Sequence, residues 1–193
     1  MEIQNENDIV KAIKEDEWMM NILFAVKSLD LPDWWICAGF VRSKIWDMIH
    51  DYNERTPLPD IDVIYFDLEN TSDFEEKAME ATLTTLLSNV PWSVKNQARM
   101  HIKSNLPPYS SSVDGISKFP ETATALGVKL DDKNDIVLAA PWGVHDVINL
   151  VVKPTPLYNT DERIKIYHNR VSKKNWDKTW TGVRIYNKNI PTI

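Results

Sequence analysis

The chain has 193 residues, enough for one domain of ordinary size with a real core, and its 43% hydrophobic and 26% charged content argues against disorder. The net charge of −6 is uneven: residues 151–193 carry nine lysines and arginines against three acids, so a +6 tail follows a −12 body. The lone Cys37 excludes an internal disulfide, no apolar stretch reaches the ~20 residues that span a bilayer, and Met1-Glu2-Ile3-Gln4 begins no signal peptide, so a cytoplasmic protein without membrane contact is expected.

Residues 8–29 predict an amphipathic helix through Ile9, Ile13, Met19, Ile22, Leu23 and Val26, ended by Asp30-Leu31-Pro32-Asp33. Residues 34–38, Trp-Trp-Ile-Cys-Ala, are apolar on both faces, as in a central strand covered by helices. Gly39 then opens a helix over 40–52, its stripe formed by Val41, Ile45, Met48, Ile49 and Tyr52. Pro57 and Pro59 break the chain before a strand over 60–67. Ser72-Asp73-Phe74-Glu75 reads as a capping box for a helix over 72–88 carrying Met79, Leu83 and Leu86. Residues 92–101 alternate, with Trp92, Val94, Asn96, Ala98 and Met100 on one face and Ser93, Lys95, Gln97, Arg99 and His101 on the other, predicting a third strand.

The second half is less regular. Two prolines and a serine run make 104–117 a loop long enough to be a lid, and Pro120 suits the first turn of a short helix ended by Gly127. Val128-Lys129-Leu130 and residues 136–140 read as a hairpin, followed by a helix over 145–152. The basic tail interleaves Tyr167, Trp176 and Trp180, an arrangement that fits either a nucleic-acid surface or, preferred here, a lobe packed on the acidic body.

Two pieces carry chemistry. Asp60 and Asp62 stand at i and i+2 on the leading edge of a strand, so both project from one face, about 7 Å apart along it. Paired hard carboxylates make poor core residues but suit Mg²⁺, which is held by one or two carboxylates together with substrate phosphates. A glycine opening a nearby helix, Gly39, lets phosphate approach backbone N–H groups and the positive helix end. The pieces together predict a metal-dependent site for a nucleoside triphosphate.

These residues also carry a resemblance. Gly39 with Arg42, followed by Asp60-Ile61-Asp62, resembles the nucleotidyltransferase superfamily with its polymerase-β-like fold. A longer series is similar to a bacterial family of nucleotidyltransferase-like proteins of unknown function: Ala38 to Arg42, Trp46-Asp47, residues 60–67, Asn96-Gln97-Ala98-Arg99-Met100-His101, Pro107-Pro108-Tyr109, Pro120-Glu121-Thr122-Ala123-Thr124-Ala125 and Ala140-Pro141-Trp142-Gly143. The resemblance, over roughly residues 18 to 180, implies an α/β (α+β) fold, a mixed sheet flanked by helices; the charge split divides the chain as a domain over 1–153 and a small basic extension over 154–193 packing on it. The resemblance implies Asp60 and Asp62 as catalytic metal ligands for Mg²⁺ or Mn²⁺, and Gly39, Phe40 and Arg42 as nucleotide contacts. The alternation of 92–101 adds a polar stripe of Lys95, Gln97 and Arg99, facing phosphate, nucleic acid or solvent, from which Lys95 is taken as a further nucleotide contact.

Two departures stand out. Phe40 follows Gly39 where serine or glycine is usual, and the third strand offers Asn96 where a third acid is usual; Glu121, Asp114 and Asp146 are the substitutes, Glu121 having the strongest motif context. The expected activity is transfer of a nucleotidyl group from a nucleoside triphosphate to a hydroxyl of RNA, protein or a small molecule. The alternative is an inactive nucleotidyltransferase fold that binds a nucleotide or a partner.

Overall fold

The computed structural model describes residues 2–186. In chain order the elements are α1 (Glu6–Lys14), α2 (Glu17–Lys27), β1 (Trp35–Cys37), α3 (Gly39–Ile49), β2 (Ile61–Tyr65), α4 (Asp73–Leu86), β3 (Trp92–Asn96), α5 (Gln97–Ser104), α6 (Ser112–Ser117), β4 (Gly127–Leu130), β5 (Ile136–Ala139), α7 (His145–Ile148), β6 (Val151–Val152), α8 (Ile164–Lys174), α9 (Trp176–Thr179) and β7 (Arg184–Ile185). The single helix expected over 8–29 is two. Asp16 ends the first by accepting the Met19 amide at 3.1 Å and capping α2, while the apolar stripe continues across the break.

Five strands form one mixed sheet in the order β3-β2-β1-β4-β5, so β1 is central as its apolar run requires. It pairs antiparallel with β2 and β4, whereas β2 and β3 run parallel. Ile36 opposes Val63 and Cys37 opposes Asp62. Alternation sends Ile36, Val63 and Val94 into the larger core with α1, α2, α3 and Leu83 of α4. All four of those helices thus serve one cluster. The other face holds a smaller cluster of Trp35, Cys37, Ile64 and Ala139, covered among the described residues by Val113, Ile116, Phe119 and Ala125. Asp62 and Lys95 lie beyond that cover, at the edge of an open cavity.

The third strand is half as long as its alternation suggests. Asn96, fully buried, accepts the Ala98 amide at 3.0 Å and starts α5, so 97–104 is helix rather than strand. Residues 112–117 form α6 inside the expected loop, and 120–126 make a turn with an isolated bridge from Glu121 to Pro154 instead of a helix. The hairpin forms as β4 and β5, while only the first part of 145–152 is helical before β6.

The basic tail enters the larger core. Tyr167, Trp176 and Trp180 are buried there, so none of the three rings offers a face for stacking on a base. Trp176 and Trp180 meet Trp46 edge-on at 5.9 and 5.1 Å between centroids, and Trp180 donates its indole N–H to Asp47 at 2.8 Å. Asp47 also accepts from the Thr56 amide and hydroxyl at 2.9 and 2.6 Å, and Arg55 bonds Asp16 at 2.8 and 2.7 Å. These bonds pin the long 50–60 segment that delivers Asp60. Among the described residues, no helix is long and apolar enough to cross a membrane.

Trp180→Ala removes both a buried ring and the indole donor to Asp47. Urea unfolding should show a loss of about 3–5 kcal/mol in a single transition. A loss under about 1 kcal/mol would mean that the tail is not part of the core.

Candidate active site

The site begins at a strained corner. Ala38 closes β1 with φ 53 and ψ −113, a backbone conformation that costs an L-residue of order 1–3 kcal/mol and clusters at functional sites. The turn starts α3 directly, with no side-chain cap. No described acceptor takes the backbone N–H of Gly39 or Phe40, the first two orphan donors of that helix. A Cβ at Gly39 would meet other atoms only at ordinary contact distance, 3.7 Å from Leu58 and 3.9 Å from Arg42. Packing therefore does not demand the glycine, and the backbone there is left open to a ligand. Phe40 contributes its amide alone, because its ring is buried and tilted against Trp18 at 6.0 Å.

Asp62 faces this corner through its pairing with Cys37, and Asp60 stands exposed just ahead of β2. No hydrogen bond or ion pair from another described residue satisfies either carboxylate. Burial pushes the Asp62 carboxyl up to about 6, and the Asp60 charge adds to the push. Arg170, Lys174 and Lys95 act in the opposite direction. Arg170 and Lys174 are one turn apart on α8, so the tail supplies the positive side of the site.

Arg42, expected at phosphate, holds its guanidinium 3.9 Å from where a Cβ on Gly39 would stand. Its guanidinium lies over the rings of Trp46, Trp176 and Trp180, at 5.0, 4.6 and 5.4 Å, and donates to Ser43 at 2.9 Å. It is 7% exposed, and burial holds its pKa down to about 10, so it stays charged at neutral pH. Arg42 fastens α3 to the tail.

Glu121, expected as a metal ligand, is instead fully buried and committed: Oε1 accepts Nε of Arg170 at 2.7 Å and Oε2 accepts the Thr124 hydroxyl at 2.7 Å. Hydrogen bonds to described residues engage only that one edge of Arg170, and Arg170 also lines the cavity with Asp62. Asp114 accepts from Ser110 and pairs with Lys118 at 3.0 Å, and Asp146 accepts from Thr122 at 2.8 Å and Lys153 at 2.9 Å. Among the described residues, no three His, Cys, Asp or Glu side chains form a group that could hold a metal by themselves. On β3, Ser93 and Lys95 oppose Asp62 and Ile64, so Asn96 lies off the acidic face, saturated by Asp67, Asn70 and Ala98.

Lys95 lines the cavity but is tied at 3.2 Å to Glu80 and 2.7 Å to the Val94 carbonyl. The expected polar stripe of Lys95, Gln97 and Arg99 is split by the start of α5. Gln97 enters the cavity, whereas Arg99 turns to Glu76 in a bidentate pair at 2.7 and 2.6 Å. Arg170 and Lys174 escaped residue-level sequence reasoning; the signal for them was the basic excess after residue 150.

A profile described as Nucleotidyltransferase matches residues 24–185. This chain belongs to the nucleotidyltransferase family. A solved structure described as revealing a CCA-adding enzyme head domain is 36% identical, with TM-score 0.84, over 96% of this chain and 98% of that one. CCA-adding enzyme structures in complex with ATP and with CTP align at TM-scores 0.59 and 0.58 over 97% of this chain, at 14 and 13% identity, a likeness of fold. The chain spans 44% of the length of those two enzymes. No curated protein sequence matches it. The fold and the general chemistry of nucleotidyl transfer follow from membership of the nucleotidyltransferase family.

The Asp62 shift has a definite sign. A folded pKa raised from 3.8 to about 6 means that the ionised carboxylate destabilises the fold; the cost is absent below about pH 4 and complete above pH 6. In metal-free buffer, Asp62→Asn should therefore be more stable than wild type at pH 7.5, by no more than about 3 kcal/mol. The difference should vanish near pH 4 in urea melts. A gain that persists at pH 4, or none at pH 7.5, contradicts the placement.

Proposed function

We propose that this nucleotidyltransferase moves a nucleotidyl group from a nucleoside triphosphate to a hydroxyl acceptor, with Mg²⁺ or Mn²⁺. The observation that carries the reading is a pair of carboxylates left unsatisfied by described neighbours, one of them half-buried, beside a helix start with open amides and a basic helix opposite. Two hard carboxylates fit an ion that completes its octahedron with phosphate oxygens and water, so a third protein acid is not needed for binding. Asp60 and Asp62 would hold it, and when bound it supplies neutralisation of phosphate charge and activation of the attacking hydroxyl.

The chain's own groups then act on charge and position. The Gly39 and Phe40 amides receive a phosphate oxygen at the positive end of α3. Arg170, held at Nε by Glu121, presents its remaining donors to the phosphates, and Lys174 adds charge one turn along. The acceptor oxygen bonds to the α-phosphorus, the bond from that phosphorus to the β-phosphate bridge breaks, and pyrophosphate leaves as the acceptor hydroxyl gives its proton to solvent water. Glu121 is thus a positioning residue in this account. RNA is the preferred acceptor class, in keeping with the basic surface of α8 beside the cavity.

A second reading rests on β3, where Ser93 and Lys95, rather than an acid, neighbour the aspartate strand. It makes the chain a nucleotide-binding module without turnover. Incubation with α-labelled triphosphates, Mn²⁺ and cell RNA separates the two. Wild type should label RNA, Asp60→Ala should fall to background, and Arg170→Ala should raise KM for the triphosphate roughly tenfold or more. Nucleotide binding without any label transfer, to RNA, protein or small molecules, favours the module.

A further inference from the structure

We infer that the slot between α5 and α6 is a nucleobase pocket in which Gln97 reads the base of the incoming nucleotide. The inference rests on the triphosphate reading above, because the slot and Asp62 belong to one cavity of about 350 Å³. That volume lies at the small end of ligand pockets, which run from about 300 to 1,000 Å³.

Gln97 is 4% exposed, and no described residue bonds its side-chain amide. The residue lines the cavity, so its unbonded amide is open to a ligand that enters there. The surrounding fold makes room for it. Gly115 on α6 faces the amide so closely that an added Cβ would lie 2.5 Å from Oε1. Gln97 and Met100 are one turn apart on α5, and Gly115 on α6 and Phe119 just past its end line the same cavity, so the two segments form its walls. Tyr109 and Tyr158, 6% and 8% exposed, add rings to the same cavity.

These are the elements that recognise a base. Apolar and aromatic walls take its faces, and an amide, one acceptor beside two donors, matches the paired donor and acceptor on its edge. Lys103 and Lys118 also line the cavity and suit the triphosphate, whereas the uncharged amide of Gln97, among Met100, Phe119, Tyr109 and Tyr158, suits a base. An acidic peptide would not use the aromatic walls.

Isothermal titration in Mg²⁺ with ATP, CTP, GTP, UTP and inorganic tripolyphosphate tests the inference. Wild type should bind nucleotides more tightly than tripolyphosphate and favour one base over the weakest by about tenfold or more. Gln97→Ala should flatten the four to within about twofold and leave tripolyphosphate unchanged, and Gly115→Ala should do the same by displacing the amide. Gln97→Glu, which keeps the shape but loses the donors, should reorder the four and guards against an Ala variant that fails to fold. Preserved base preference in these variants, or nucleotides no tighter than tripolyphosphate, overturns the pocket while leaving the phosphate site standing. Discriminated binding without label transfer supports the pocket and sinks only the transferase reading. Absence of any triphosphate or tripolyphosphate binding sinks both.

Discussion

The antiparallel pairing of Cys37 with Asp62 brings the end of the central strand, the corner at Ala38 and the acidic edge of β2 to one place on the sheet. Side chains on a strand change face at every residue, so a slip of one would bury Asp62 in the larger core and expose Val63. Register is held by apolar alternation on both faces: Ile36 and Val63 on one side, Trp35 and Ile64 on the other. The strain at Ala38 persists because the Ala38 amide is bonded to the Leu126 carbonyl at 3.0 Å and the ladder continues on both sides of β1.

The charge division along the chain has a structural meaning. An acidic body alone would leave Asp60 and Asp62 in a field of like sign. Folding the tail into the core through its tryptophans carries Arg170 and Lys174 to the other side of the cavity. Glu121 then does for Arg170 what Asp47 does for Trp180: each buried carboxylate fixes a tail residue against the body. The tail is thereby part of the site's electrostatics as well as of the fold's stability.

The strands around the site were legible because their signals are local. An apolar run ending at glycine and an acidic pair after two prolines need no distant partner to be read. Period failed where a cap overrode it: Asn96 looked like one more inward strand residue, yet its side chain ends the strand and opens α5. Asp16 did the same between α1 and α2. The placements of Arg42 and Glu121 depend on rings and charges more than a hundred and about fifty residues away, respectively, which no local spacing encodes. The absence of an acid beside Asp62 on β3 was visible as a missing carboxylate, but only the parallel register identifies Ser93 and Lys95 as the residues standing there.

In the proposed function, the Asp60–Asp62 pair and the start of α3 form one metal–triphosphate site. A crystal structure with Mn²⁺ and a non-hydrolysable triphosphate, phased to locate the metal by its anomalous signal, tests this most directly. Manganese should bind Asp60 and Asp62, with phosphate oxygens at the Gly39 and Phe40 amides and at Arg170. Manganese and phosphates bound elsewhere, with both aspartates bare, would contradict it.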